Sequence, residues 1–176
     1  MSTVDTQSIL AFLDVVGRRQ IKPERLLLLG GGALLLLGNA RATLDIDYVG
    51  DDLHRTDFQQ MLDDVAAEMH LQVDPVPIER FVPLPPDTET RQRRIGQFGS
   101  VDVLVIDPYV IALSKLDRGL DSDLADIVFL VEQGLVDLDR LAVEGERIIQ
   151  RAREFDLDPA AIRRHLEVVR QRAASA

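Results

Sequence analysis

Ile9, Leu10, Phe12, Leu13, Val15 and Val16 recur at the spacing of a helix with a broad apolar face, and the pattern predicts a helix over residues 6–16 ended by Gly17. Residues 25–29, four consecutive leucines after Arg25, read as a buried strand. Gly30, Gly31 and Gly32 break that run, and Ala33 to Leu37 are good helix formers, so a short helix is expected between the glycines and Gly38. Residues 44–49 alternate apolar with acidic side chains, the period of a half-buried strand. Phe58, Met61, Leu62, Val65 and Met69 then follow helical spacing, as a core-packing face does.

Pro75, Pro77, Pro83, Pro85 and Pro86 predict an irregular excursion, with at most an edge strand near residues 78–81. Residues 93–98 and 100–106 read as two strands joined at Gly99, a hairpin. Asp107 and Pro108 supply an N-cap and a first-turn proline for a helix to about Asp117. Another helix starts at Asp121 or Ser122 and stops at Gly134, and two more are expected over residues 137–153 and 159–173. No internal repeat is visible.

Composition narrows this picture. A chain of 176 residues with 46% hydrophobic content can bury its own core without staples, and having no cysteine it forms neither disulfides nor thiolate zinc sites. His54, His70 and His165 show no metal-ligand spacing. The leucine-rich block at 26–37 is too short and too glycine-broken to span a bilayer, and no leader pattern precedes it, so a soluble, cytoplasmic protein is expected. A net charge of −10 disfavours extended binding to nucleic acid by counterion release. Arg91, Arg93 and Arg94 read either as a solvated strand edge or as a local patch that steers one end of a nucleic acid. An acidic surface equally suits a cationic small molecule.

The chemistry concentrates between Gly30 and Asp47. Asp45 and Asp47, two apart on a strand, share a face with Cα atoms about 6.6 Å apart. Two carboxylates about 4 Å apart repel by roughly 4 kcal/mol at an effective dielectric near 20, which makes a bound magnesium or manganese ion attractive. Glycines without side chains let a phosphate approach backbone amides at a helix start. No Gly-Lys-Ser/Thr follows at P-loop spacing, and the third glycine of a dinucleotide fingerprint is missing. A tight strand-to-helix turn would explain the glycines alone; Asp-x-Asp on the next strand favours a functional reading.

Gly-Gly, an apolar helix, then Gly38-x-x-Arg41-x-Thr43-x-Asp45-Ile46-Asp47 resembles the signature of the polymerase-beta-like nucleotidyltransferase superfamily. Within it the pattern looks closest to the abortive-infection toxin branch, the AbiEii-like and MenT-like proteins and their uncharacterised relatives. The resemblance covers residues 26–49 and extends through Val101-Asp102-Val103, Ser114-Lys115-Leu116-Asp117-Arg118 and Asp123-x-x-Asp126. The chain departs from the pattern at Ser122, where relatives often carry arginine, and in its triple glycine, where many members have Gly-Ser.

The resemblance implies an α/β (α+β) fold, a short mixed sheet flanked by helices, with residues 1–120 as the nucleotidyltransferase core and a C-terminal helical segment over 121–176 completing one compact domain. It implies transfer of a nucleoside monophosphate from a nucleoside triphosphate to a hydroxyl of transfer RNA or another macromolecule, with an antitoxin as partner. Asp45, Asp47 and Asp102 would be the metal ligands and catalytic carboxylates. Gly30, Gly31, Gly32, Arg41, Thr43, Lys115 and Asp123 would bind nucleotide, and Lys115 and Asp126 would join the catalytic set.

Other readings of these residues stay open. Asp102 also reads as a strand-end aspartate near solvent, Arg41 as a loop residue, and Lys115 as a surface lysine paired with Asp117 or Asp121. Asp121 and Asp123 suit a helix start. Asp126, opposite Ile127 and Leu130, suits a functional acid or a partner for Lys115. Two rival functions remain: an aminoglycoside-modifying nucleotidyltransferase, and a non-catalytic module that binds nucleotide or a partner protein.

Overall fold

Asp5 opens the first helix, α1 (Thr6–Arg19), with a capping box: its carboxylate accepts from the Ser8 amide at 2.8 Å, and its own amide donates to the Ser8 hydroxyl at 2.8 Å. This computed structural model describes residues 3–175. The helix runs through Gly17 rather than ending there. A Cβ at Gly17 would lie 2.5 Å from the carbonyl carbon of Phe98, so the glycine serves a close approach of backbones and not a stop. Gly99, at φ +57°, abuts Gly17 from the other side.

Among the described residues the strands are β1 (Glu24–Leu29), β2 (Ile46–Val49), β3 (Val73–Val76), β4 (Arg93–Phe98) and β5 (Val101–Val105), in sheet order β3-β2-β1-β5-β4. β1 is antiparallel to β2 and parallel to β5; β2 is parallel to β3, and β4 closes the far edge antiparallel to β5. The expected strand near 78–81 is instead β3, several residues earlier, and residues Ile78–Arg80 form a 3₁₀ turn. Pro75 inside β3 has no N–H to donate, which an edge strand tolerates.

Side chains alternate across this sheet. Leu26, Leu28, Ile46, Tyr48, Val73, Val101, Val103 and Val105 are buried, whereas Asp47, Val49, Asp74, Val76 and Asp102 are only partly so. α1, α2 (Gly30–Leu36) and α3 (Asp57–Glu68) pack on the sheet and on one another, with Ile9 of α1 meeting the helix backbone at Gly32 beside Ile46. α2 begins at Gly30 itself, three residues before the predicted start.

The chain forms two compact units, one of residues 1–78 and 92–106 carrying the sheet, the other of residues 79–91 and 107–176 carrying helices. The helical unit resumes at Asp107. Asp107 explains this: wholly buried, it caps α4 (Pro108–Leu116) through the Tyr109 amide at 3.0 Å and pairs with Arg91 at 2.6 Å and Thr88 at 2.9 Å. Helix α4 therefore belongs with α5 (Asp121–Glu132), α6 (Leu138–Gln150), α7 (Ala152–Phe155) and α8 (Pro159–Ala174). The single helix expected over 137–153 is interrupted at Arg151, whose backbone sits at φ −109°, ψ 15°.

Gly17→Ala tests the packing account of α1. Helix propensity alone would stabilise this change by about 1 kcal/mol, but overpacking against Phe98 costs about 1–3 kcal/mol. The expected result is a lower urea midpoint than wild type; a raised midpoint would show that the two backbones can separate freely.

Candidate functional site: an acidic triad beside a glycine turn

Strand register sets the acids side by side. Leu29, the last residue of β1, pairs with Asp47, and Asp47 pairs in turn with Asp74 on β3. Asp45 lies one residue before β2. Carboxylate oxygens of Asp45, Asp47 and Asp74 all fall within 4.8 Å of one another, and all three residues are half-buried.

The glycines shape this corner in three different ways. Gly30 has φ +66°, a region open to glycine at little cost, and the Asp47 carboxylate occupies the space where a Cβ would stand. A Cβ on Gly31 would lie 2.6 Å from the Thr43 hydroxyl and 2.7 Å from the Thr43 Cβ. Gly32 lets Ile9 and the Ile46 backbone approach the helix. Thr43 is fixed further by two backbone hydrogen bonds with Val4, at 2.7 and 3.0 Å, and its hydroxyl donates to Asp45 Oδ1 at 3.3 Å. Gln72 donates from Nε2 to Asp74 Oδ2 at 2.7 Å, while its carbonyl accepts from the Ile46 amide at 2.9 Å. Arg41 lies exposed in the loop between α2 and β2, its amide bound to the Asn39 side chain at 3.1 Å.

Asp102 does not join this group. Its register partner on β1 is Arg25, four positions from Leu29, which sets it about 13 Å away along the strand direction. There it accepts from Arg94 Nε at 2.7 Å, a partly exposed ion pair. Asp102 thus stands on the face of the sheet that carries Asp47 but toward the other end of the strands, and Asp74 is the acid that lies with the pair. Asp74 was masked by the prolines around it. The signal that could have found it is Val73-Asp74-Pro75-Val76, an alternation matching that of Ile46-Asp47-Tyr48-Val49.

The helical unit holds the other residues singled out by sequence. Lys115 on α4 is buried, with Nζ 3.1 Å from Asp123 Oδ1 and 2.9 Å from Asp126 Oδ2. It is neither at the surface nor paired with Asp117 or Asp121. Asp117 accepts from the Asp158 amide at 2.7 Å, and Asp121 pairs with Arg172 at 2.8 Å. Asp123 also accepts from Arg118 at 2.7 and 2.6 Å and from the Leu120 amide at 3.2 Å, so it caps α5 as well as pairing. Burial alone would raise the Asp123 pKa, but the Arg118 and Lys115 cations outweigh it and hold the carboxyl at about 2. Arg91 and Arg94 are likewise committed, to Asp107 and Asp102 respectively.

A five-stranded mixed sheet flanked by helices, with adjacent aspartates facing a glycine strand-to-helix turn, is the nucleotidyltransferase type of fold. The chain belongs to the family described as "Nucleotidyltransferase of unknown function (DUF6036)", whose profile matches residues 7–159. Comparison with curated proteins and with solved structures gives no match.

The depressed pKa of Asp123 has a stability consequence with a definite sign. Stabilisation by its charged form is fully present above the ordinary value of 3.8 and is lost as pH falls toward about 2. It amounts to about 2 kcal/mol. Urea titrations of Asp123→Asn should show a large loss at pH 7, about 3 kcal/mol, and a shallower further loss between pH 4 and 2 than wild type. Parallel acid limbs for the two proteins would count against this account.

Proposed function

We propose that the protein transfers a nucleoside monophosphate from a nucleoside triphosphate to a hydroxyl on transfer RNA or another macromolecule, as the toxin of a toxin–antitoxin pair working in the cytoplasm. The observation that carries the chemistry is the convergence of Asp45, Asp47 and Asp74 oxygens within 4.8 Å beside Gly30. Their fit to a divalent cation follows from the donor set: three hard oxygen ligands on a half-buried face, whose mutual repulsion a magnesium or manganese ion relieves. Such an ion, when bound, supplies charge neutralisation at the triphosphate and at the attacking oxygen.

The chain's own residues do the rest by position and charge. Asp45, Asp47 and Asp74 hold the cation. Asp74 takes the part that the resemblance gives to a third carboxylate, accepting the proton of the acceptor hydroxyl. That oxygen bonds to the α-phosphorus, the bond to pyrophosphate breaks, and pyrophosphate leaves. Gly30, Gly31, Gly32, Thr43 and Arg41 border the place for the triphosphate. Lys115, with Asp123 and Asp126, supplies the Lys-Leu and Asp-x-x-Asp part of the toxin-branch pattern. No helix among the described residues is long and apolar enough to cross a membrane.

Two measurements test this reading. Saturating magnesium with a nucleoside triphosphate should raise the melting temperature, since both bind the folded site; a melt unmoved by metal with each of the four triphosphates would count against it. Incubation with labelled triphosphates, magnesium and fractionated RNA or protein should place label in a single fraction, and label in transfer RNA would fix the acceptor. Asp45→Asn, Asp47→Asn and Asp74→Asn should each lower turnover at least about a hundredfold while leaving the fold intact or stabilised, because a like charge is removed. Asp102→Asn should retain activity. Full turnover in Asp74→Asn would remove Asp74 from the mechanism.

A further inference from the structure

Two of the three acids carry the same local device. Thr43 stands two residues before Asp45 and donates a hydroxyl to its Oδ1 at 3.3 Å; Gln72 stands two residues before Asp74 and donates an amide to its Oδ2 at 2.7 Å. Both donors are themselves held. Thr43 is pinned between the Gly31 backbone and the paired backbone of the fully buried Val4, and Gln72 is tied to β2 through the Ile46 amide.

We propose that Thr43 and Gln72 are paired positioning residues, which fix the outer carboxylates Asp45 and Asp74 so that one oxygen of each turns toward Asp47. The inference rests on the acidic triad of the proposed function and adds the residues that orient it. Its physical basis is the neutrality of the two donors. A lysine or arginine partner would orient a carboxylate equally well, but its charge would repel the incoming cation; a hydroxyl or amide orients without that penalty. Each engages one named oxygen of a carboxylate that has two. Hydrogen bonds to metal ligands from such outer residues commonly change affinity by about tenfold or more.

The test measures Mn²⁺ affinity, with no nucleotide, on the full chain by calorimetry or manganese spin resonance. Gln72→Met and Thr43→Val keep side-chain volume and remove the donor; each should weaken Mn²⁺ binding about tenfold. Thr43→Ser restores the hydroxyl and should lie within about twofold of wild type, a recovery that a packing role for the threonine methyl would not produce. Gly31→Ala reaches Thr43 from the other side, its Cβ 2.6 Å from the hydroxyl, and should also weaken binding. Wild-type affinity in either Gln72→Met or Thr43→Val, with Asp45→Asn and Asp74→Asn both impaired, overturns the positioning role and leaves the acidic site standing. Absence of Mn²⁺ binding by the wild type overturns the acidic site and this inference with it.

Discussion

The register of β1, β2 and β3 is the constraint on which the candidate site depends. Pairing Leu29 with Asp47 and Asp47 with Asp74 brings like charges into one corner, with oxygens of Asp45, Asp47 and Asp74 within 4.8 Å of one another; two unit charges at about 4–5 Å repel by roughly 3–4 kcal/mol at an effective dielectric near 20. A fold gains nothing in stability from that placement. The sheet holds it because the opposite face supplies the binding energy: Leu28, Ile46, Tyr48 and Val73 are buried on the same strands that present the acids. A shift of one residue in register would turn the apolar set outward, so the core that stabilises the sheet also fixes where the carboxylates stand.

The polar cluster of the helical unit shows the contrary arrangement. Lys115 and Arg118 face Asp123 and Asp126, two cations against two anions, and Asp123 alone takes donors from Lys115, Arg118 and the Leu120 amide. Charges there are balanced within the protein. In the acidic corner the side-chain donors that Thr43 and Gln72 give to Asp45 and Asp74 are neutral, so these two hydrogen bonds leave the charge of both carboxylates in place. The difference in local balance separates a brace between helices, expensive to break, from a site suited to a cation. Lys115 accordingly has a structural duty whatever further part it plays, because its loss would leave two nearly inaccessible carboxylates facing each other.

Much of this was legible in the sequence. Alternation over residues 44–49 and the glycine break after an apolar run located the turn and the first two acids, since both signals are local. What failed was non-local. Face parity put Asp102 on a plausible side of its strand, but parity says nothing of which end of a strand lies near another, and only pairing with Arg25 fixes that. β3 was hidden because Pro75 and Pro77 read as breakers, although an edge position removes the objection to a proline. Gly17 was read as a helix stop when its role is steric, set by Phe98 some eighty residues away in the chain. Asp107 is claimed by Arg91 and Thr88, partners that spacing along the chain does not reveal.

The triple glycine, a departure from the commoner Gly-Ser, follows from the same packing. Gly30 is required twice, by its positive φ and by the Asp47 carboxylate lodged against it. At Gly31 any β-carbon, that of serine included, would press on Thr43 at 2.6–2.7 Å, and Thr43 cannot retreat without breaking its two backbone hydrogen bonds to Val4. The second glycine is thus tied to the threonine that orients Asp45, and the two positions form one steric unit. The departure from Gly-Ser is a local solution to holding Thr43, and through it Asp45, in place.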